Sequence, residues 1–181
     1  ERMLTLVKSE KYKIDEDAIM LVTFLADGSL RDAESMLGQL MDAFPDGAKR
    51  ETIESVFGLP NIKAVHSLID AAFAKDAPGI LTTLGAVLAR GVDPKMLSRL
   101  LVNEARILLI SIINPKEIED LKAKLSEEHI KFFSDHKDIK YKDAEYLLVK
   151  LLEAHDSRFR GPFLELPVEL ALLDVASRGG E

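Results

Sequence analysis

The chain has 181 residues, a formal net charge of −7 at pH 7 and no cysteine. Without cysteine it has no disulfide, no thiol nucleophile and no cysteine metal site, which suits a cytoplasmic protein. The acidic balance argues against a grip on nucleic-acid phosphates by the whole domain. Tryptophan is absent and aromatic residues make up only 6% of the chain, so a stacking platform for single-stranded nucleic acid is also disfavoured.

Helical spacing dominates the sequence. Apolar residues recur every three or four positions nearly throughout, and no alternating stretch indicates a sheet. We therefore predict an all-α fold. Counted from their capping or first residues, the predicted helices lie at 3–11, 15–25, 29–44, 50–57, 61–75, 76–91, 93–113, 115–125, 126–136, 138–158 and 165–177.

Two long predicted helices each carry an apolar stripe, which we interpret as part of the core. The stripe residues are Leu97, Leu101, Ala105, Leu108 and Leu109 in the first and Leu147, Leu148, Leu151 and Leu152 in the second. The most apolar stretch, at 107–113, is far too short to span a bilayer, so we expect no membrane contact.

An arginine, Arg31, lies in the first turn of the helix predicted from Ser29. Ser29 is a typical capping residue, and Asp32 three positions later occupies a variant capping-box position. Exposed N–H groups and the helix dipole make such an end positive, so a cation there is mildly disfavoured unless an anion lies in front of it. Arg31 is therefore either a ligand for an anion such as a nucleotide phosphate, or the partner of Asp27, Asp32 or Glu34 in a surface ion pair.

This stretch resembles the second-sensor helix in the lid of the gamma/tau subunit of the bacterial DNA polymerase III clamp loader, an AAA+ family. In that family a Gly-Ser-Leu-Arg-Asp-Ala run opens the helix, as residues 28–33 do here, although Gly38 replaces a residue that is usually acidic. Residues 89–94 resemble the helix break of the family's collar domain, and residues 167–173 resemble its closing helix. The resemblance extends over nearly the whole chain.

The resemblance implies two helical domains. Residues 1–58 correspond to the C-terminal part of an AAA+ lid with its sensor-2 helix, and residues 59–181 to a helical collar through which subunits assemble. It also implies that Arg31 senses the γ-phosphate of ATP, with Ser29 and Asp32 supporting the helix N-terminus. ATP and Mg²⁺ are then the cofactors of the parent protein, and its partners are other clamp-loader subunits, the sliding clamp and primed DNA.

The sequence contains no Gly-x-x-x-x-Gly-Lys-Ser/Thr loop, so we expect no ATP hydrolysis by this segment alone and no cofactor bound within it. It begins Glu1-Arg2-Met3-Leu4, from which we expect an excerpt of a longer ATPase subunit. Two other interpretations stay open. One is a helical adaptor that binds only proteins, and the other is the corresponding tail of another AAA+ protein.

The histidines and lysines predict little chemistry. The four histidines are His66, His129, His136 and His155. No two of them have the spacing of a helical metal site, so we predict no metal site and no catalytic residue. A basic cluster of Lys8, Lys11 and Lys13 is either a solvated surface or a weak contact for DNA or nucleotide.

One loop combines aromatic and basic side chains. Arg158 and Arg160 flank Phe159 shortly before a Gly-Pro break. Arginine and aromatic neighbours are favoured at protein interfaces, where a partner subunit could bury them together with the apolar residues at 163–166. The alternative is a loop that simply places Phe159 in the core.

Overall fold

A computed structural model of the chain describes Thr5, Val7 and residues 9–116 and 125–178. These residues form helices and no strand, with one isolated parallel bridge between Ile14 and Ala48, which confirms the predicted all-α class. The described helices are α1 (Glu16–Leu25), α2 (Leu30–Ala43), α3 (Arg50–Val56), α4 (Ile62–Phe73), α5 (Ala77–Leu88), α6 (Pro94–Ile113), α7 (Glu127–Asp135), α8 (Tyr141–His155) and α9 (Leu166–Ser177). None of these helices is long and apolar enough to cross a membrane.

The predicted helix at 115–125 lies largely outside the described residues, and the one at 3–11 is described only at Thr5, Val7 and residues 9–11, of which Thr5, Val7 and Ser9 are helical. The others occur, with ends displaced by a few residues. The start of α8 is an example: the Ile139 N–H donates to the His136 carbonyl oxygen at 3.1 Å, and this turn delays the helix until Tyr141. Such displacements are expected because capping geometry, rather than apolar spacing, decides where a helix begins.

The chain divides into two compact units, with the division between Phe57 and Gly58. The first unit contains α1 to α3 and the second contains α4 to α9, while Leu125 and Ser126 group with the first. Gly58 has a φ of +61°, a left-handed conformation that glycine adopts without steric cost. Gly58 therefore permits the tight turn that follows α3.

In the first unit, α1 packs against both α2 and α3. The core side chains of this unit include Ala18, Leu21, Val22, Leu37, Leu40 and Ile53. The segment before α1 approaches the start of α3, where the Ala48 N–H donates to the Lys13 carbonyl oxygen at 3.0 Å. Gly47 permits this approach, because a Cβ there would collide with the Lys13 carbonyl oxygen and its φ is +128°.

In the second unit, α8 packs against α6 and α9, and α4 packs against α5, α6 and α9. The fully buried side chains of this unit include Leu68, Ile69, Leu84, Leu97, Leu101, Leu108, Leu147 and Leu151. Burial of a leucine-sized side chain contributes about 1.5–3 kcal/mol. This layer of leucines is therefore a major source of stability for the unit.

The two predicted core stripes have different outcomes. In α6, the buried residues are Leu97, Leu101, Ala105 and Leu108, whereas Leu109 is half-buried. In α8, Leu147 and Leu151 are buried, but Leu152 is 41% exposed, so the prediction is wrong for Leu152. The buried face of α8 follows the spacing of Ala144, Leu147 and Leu151, and Leu152 lies about 100° further around the helix.

Candidate functional site

The helix α2 begins at Leu30 after a tight turn. Asp27 and Gly28 have positive φ values of 52° and 78°, and Ser29 follows in the extended conformation typical of an N-cap. The Ser29 hydroxyl oxygen accepts a hydrogen bond from the Asp32 N–H at 3.3 Å. Ser29 thereby satisfies one of the N–H groups that the first helical turn leaves without an intrahelical partner.

Arg31 lies in this first turn, and its side chain is exposed. Its guanidinium makes no ion pair with Asp27, Asp32 or Glu34, nor with any other residue that the structure describes. The surface ion pair that the sequence left open is therefore not formed. An unpaired guanidinium beside the N–H groups of a helix N-terminus is a combination that binds phosphate or carboxylate groups.

The other end of α2 is also held in place. The Tyr12 hydroxyl donates to the carbonyl oxygens of Leu40, at 3.1 Å, and Phe44, at 2.9 Å. The same two oxygens also accept the backbone N–H groups of Phe44, at 2.8 Å, and Gly47, at 3.0 Å. Tyr12 is therefore an additional donor that ties the segment before α1 to the end of α2. Leu37 and Leu40 anchor the inner face of α2 in the core. Arg31 is thus carried by a helix whose position is fixed along its length.

A second arginine in the first turn of a helix, Arg50 of α3, has a different environment. Its Nη1 lies 2.9 Å from Asp17 Oδ1 in α1, and its Nε lies 3.0 Å from Glu54 Oε1 one turn further along α3. The three side chains are between 7% and 12% exposed. Because buried carboxylates need a counter-charge, Arg50 stabilises the packing of α1 against α3.

The second unit contains a buried cluster of three titratable side chains: His66 of α4, Glu104 of α6 and His129 of α7. The Nε2 atoms of His66 and His129 lie 3.2 and 3.5 Å from the same Glu104 oxygen, Oε2. Burial alone would raise the pKa of Glu104, but hydrogen bonds and positive charge from His129 and His66 lower it to about 2. Glu104 is therefore ionised at neutral pH.

Aromatic rings enclose this cluster. The His66 ring stacks on Phe132 with centroids 3.9 Å apart and an angle of 6° between the planes, and it meets the His129 ring edge-on at 5.3 Å. The remaining ring nitrogen of His66, Nδ1, is buried and has no hydrogen-bond partner among the described residues. The cluster is therefore a buried polar site in which one atom has no partner among the described residues, a combination that is uncommon in protein cores.

Sequence reasoning missed this cluster because its members lie on three different helices. Histidine spacing along the chain carries no information about such a site. One signal was present: Glu104 shares the face of α6 formed by Leu101, Ala105 and Leu108, which are buried. A carboxylate within a core stripe must have a buried partner, because an isolated buried charge is very costly.

The other two histidines lie outside this cluster. In His136, Nε2 lies 3.0 Å from Asp70 Oδ1, and Nδ1 lies 2.8 Å from the Phe132 carbonyl oxygen. Burial lowers the pKa of His136, but the hydrogen bonds to Asp70 and Phe132 outweigh it, so the pKa is raised overall. His155 Nδ1 lies 3.3 Å from the Ser98 hydroxyl oxygen.

The loop before α9 is exposed. Phe159 is 43% exposed, so the predicted alternative of a loop that buries it in the core is wrong. Its ring lies against Gly161, where a Cβ would collide with it. Phe163 is 56% exposed and Leu164 is 49% exposed. Aromatic and apolar side chains are therefore displayed together here, as at many protein interfaces.

The lysine cluster is only partly described. Lys11 and Lys13 are exposed, and Lys8 lies outside the described residues. Neither Lys11 nor Lys13 forms an ion pair with a described residue. This is compatible with both of the interpretations that the sequence allows.

Comparison with known proteins identifies the central part of the chain. Residues 48–137 match the family model described as DNA polymerase III subunits gamma and tau, domain III. The matched segment begins just before α3 and ends just after α7, so it contains His66, Glu104 and His129. Arg31 lies before it.

Curated relatives come from bacteria and from a plant. DNA polymerase III subunit tau of Bacillus subtilis is 29% identical over 53% of this chain and 17% of its own length. The DNA polymerase III subunit gamma/tau of Mycoplasma genitalium is 35% identical over 42% of this chain and 13% of its own length. Protein STICHEL-like 1 of Arabidopsis thaliana is 28% identical over 88% of this chain and 14% of its own length. The chain thus spans less than a fifth of the length of these relatives.

A solved structure has the same fold. The DNA clamp loader delta protein of Bacillus subtilis superposes with a TM-score of 0.55 and 16% identity, over 97% of this chain and 55% of that one. At this identity the match concerns the fold alone. The family match and this fold agree. The chain carries a clamp-loader region of the gamma/tau type, and its residues 48–137 belong to the domain III family of DNA polymerase III subunits gamma and tau.

Proposed function

We propose that the chain is the part of a clamp-loader subunit that senses nucleotide and joins the subunit ring in DNA replication. Residues 1–58 act as the C-terminal part of an AAA+ lid, and residues 59–181 act as the collar. The observation that carries the proposal is the unpaired guanidinium of Arg31 in the first turn of a capped helix, in a chain with a gamma/tau domain III.

Arg31 provides the sensing chemistry. Guanidinium groups bind phosphate with two parallel charge-assisted hydrogen bonds, and helix N–H groups add to the attraction. When an ATPase module presents ATP and Mg²⁺ to the lid, Arg31 contacts the γ-phosphate. Loss of that phosphate on hydrolysis removes the contact, so the lid changes position with the state of the nucleotide.

The second unit provides the assembly surface. The loop before α9 exposes Phe163 and Leu164, and α9 itself exposes Leu170. Neighbouring subunits of the ring bury this surface, since aromatic and large apolar residues supply most of the binding energy at interfaces. The complete cytoplasmic complex then opens the sliding clamp and places it on primed DNA.

The proposal is tested in the complete subunit, assembled with its clamp-loader partners. We expect Arg31→Ala to weaken ATP-dependent clamp binding and loading, while ring assembly measured by size-exclusion chromatography is unchanged. Arg31→Lys retains the charge without the planar fork, so partial activity is expected. Lys49→Ala, at another exposed cation of the same unit, is the matched control. Clamp loading by Arg31→Ala at the wild-type rate would contradict the proposal.

A second candidate is a helical adaptor that binds proteins only. It is favoured by the exposed side chains of Phe159, Phe163 and Leu164, which are of the kind that protein partners bury. The two candidates differ in their response to nucleotide. In an adaptor, Arg31→Ala leaves partner binding unchanged and ATP has no effect on it.

A further inference from the structure

The geometry points to a binding site for one divalent transition-metal ion, of which zinc is the representative, formed by His66, Glu104 and His129 in the second unit. The inference concerns a different part of the molecule from Arg31. It does not depend on the proposed nucleotide sensing or on ring assembly.

The distances within the cluster suit such an ion. Zinc bonds to histidine nitrogen and carboxylate oxygen are about 2.0–2.2 Å long, which places neighbouring ligand atoms of a tetrahedral site about 3.3–3.6 Å apart. His66 Nε2 and His129 Nε2 lie 3.2 and 3.5 Å from Glu104 Oε2. One ligand atom from each of the three residues lies within 4.8 Å of the others. An ion therefore needs only small side-chain movements to replace the hydrogen bonds.

The donor set selects the class of metal. Two imidazoles and one carboxylate are the ligands of many three-residue zinc sites, in which a water molecule completes the tetrahedron. Magnesium and calcium prefer more oxygen ligands, so this site discriminates against them in favour of zinc, cobalt and nickel.

The surroundings define what the metal does. The helix α7 contacts α4 through the stack of Phe132 on His66, and its buried side chains include Phe132 and Phe133. A metal held by His66, Glu104 and His129 joins α7 to α4 and α6. Binding that is confined to the folded state stabilises that state by mass action. The ion therefore acts as a structural clip within the second unit.

One feature limits the affinity. A histidine that binds metal through Nε2 usually donates its Nδ1–H to an acceptor, and such outer contacts account for about 10- to 100-fold in affinity. His66 Nδ1 has no partner among the described residues. We therefore expect weaker binding than at a zinc site in which every histidine has such a partner.

The test uses the whole chain without a histidine tag, stripped with a chelator and then titrated with zinc chloride or cobalt chloride. With zinc, we expect calorimetry to show one ion bound per chain, and we expect the thermal unfolding temperature to rise until the chelator reverses the effect. With cobalt, we expect the visible absorption that is typical of a tetrahedral site. Glu104→Gln preserves the shape of the side chain but removes its charge. We expect it to weaken zinc binding roughly tenfold or more, since one of three ligands is impaired.

Two matched controls come from the same chain. His136→Gln and His155→Gln remove histidines outside the cluster, so both variants retain zinc binding. If Glu104→Gln does not fold, as judged by circular dichroism, His129→Gln provides the same comparison. The proposal is wrong if the wild-type chain shows no zinc-dependent shift, or if the shift persists in the folded cluster variants. The three residues would then be a hydrogen-bonded core cluster only.

Discussion

Arg31 and Arg50 both lie in the first turn of a helix of the same unit, yet only Arg50 has carboxylate partners, at 2.9 and 3.0 Å. The positive end of a helix disfavours both arginines. Asp17 and Glu54 compensate for this cost at Arg50, so the fold explains the presence of that arginine. For Arg31 no described residue does so, and this contrast is what supports the proposal that Arg31 binds an anion.

Removal of Arg50 is predicted to destabilise the chain strongly. Arg50→Ala leaves Asp17 and Glu54 buried without their cation, and breaking such a pair typically costs about 3–5 kcal/mol. We expect the lower end of this range, because both carboxylates make further contacts. The measurement is the free energy of unfolding in urea.

Arg31→Ala and Lys49→Ala are the controls for this experiment. Both residues are exposed, and substitutions at such positions usually change stability by less than about 0.5 kcal/mol. Equal effects of Arg31→Ala and Arg50→Ala would show that the contrast between the two arginines has no energetic consequence.

The cap of α2 is predicted to have a moderate effect. Ser29→Ala removes the acceptor for the Asp32 N–H, and loss of an N-cap costs about 0.5–2 kcal/mol. The hydrogen bond is long, at 3.3 Å, so we expect a loss near the lower limit, measured by urea unfolding. Ser35→Ala, at an exposed position inside the same helix, should not be destabilising, because alanine is the better helix former. A destabilisation by Ser35→Ala as large as that by Ser29→Ala would contradict the role of the cap.

Most of the helices could be predicted because their signals are local. Asp93 is an example: its carboxylate accepts hydrogen bonds from the N–H groups of Lys95 and Met96, at 2.8 and 3.0 Å, and Pro94 follows at the first helical position. All of these residues lie within one turn, so the start of α6 is readable from the sequence. The exposure of Leu152 was not readable, since it depends on which face of α8 meets its neighbours.

The same distinction applies to the candidate sites. Ser29, Arg31 and Asp32 lie within one helical turn, and their proximity follows from the sequence alone. His66, Glu104 and His129 come together only when α4, α6 and α7 pack, and chain spacing says nothing about that packing. Such a cluster becomes visible only in three dimensions.

The pair of His136 and Asp70 predicts a pH-dependent contribution to stability. Both ring nitrogens of His136 face acceptors, Asp70 Oδ1 and the Phe132 carbonyl oxygen, so the doubly protonated ring is favoured and its pKa in the folded state is raised. A raised pKa means that the contribution is complete below the unfolded-state value of about 6.5. It is lost as the pH rises through the folded-state pKa.

The measurement is the difference in unfolding free energy between the wild type and Asp70→Asn, taken from below pH 6.5 to above the raised pKa of His136. We expect the difference to be largest at acidic pH and to shrink toward alkaline pH. It should be small throughout, because the Asp70 side chain is 53% exposed and solvent screens the interaction. A difference that is constant with pH would contradict the assignment. Asp156→Asn, at an exposed carboxylate after α8, controls for the general change in net charge.

Two adjacent leucines of α8 are predicted to differ sharply in their importance for stability. Leu151 is fully buried where α8 packs in the core, whereas Leu152 is 41% exposed. Leu151→Ala removes buried methyl groups and leaves a cavity, which costs about 2–5 kcal/mol. Leu152→Ala forfeits only part of the hydrophobic transfer free energy and leaves no cavity, so we expect a loss below about 1 kcal/mol. Urea unfolding of both variants gives the comparison, and similar losses would mean that Leu152 is buried in solution.

If Leu152 is part of a ring interface, Leu152→Ala should weaken assembly of the complete complex while the stability of the isolated chain is nearly unchanged.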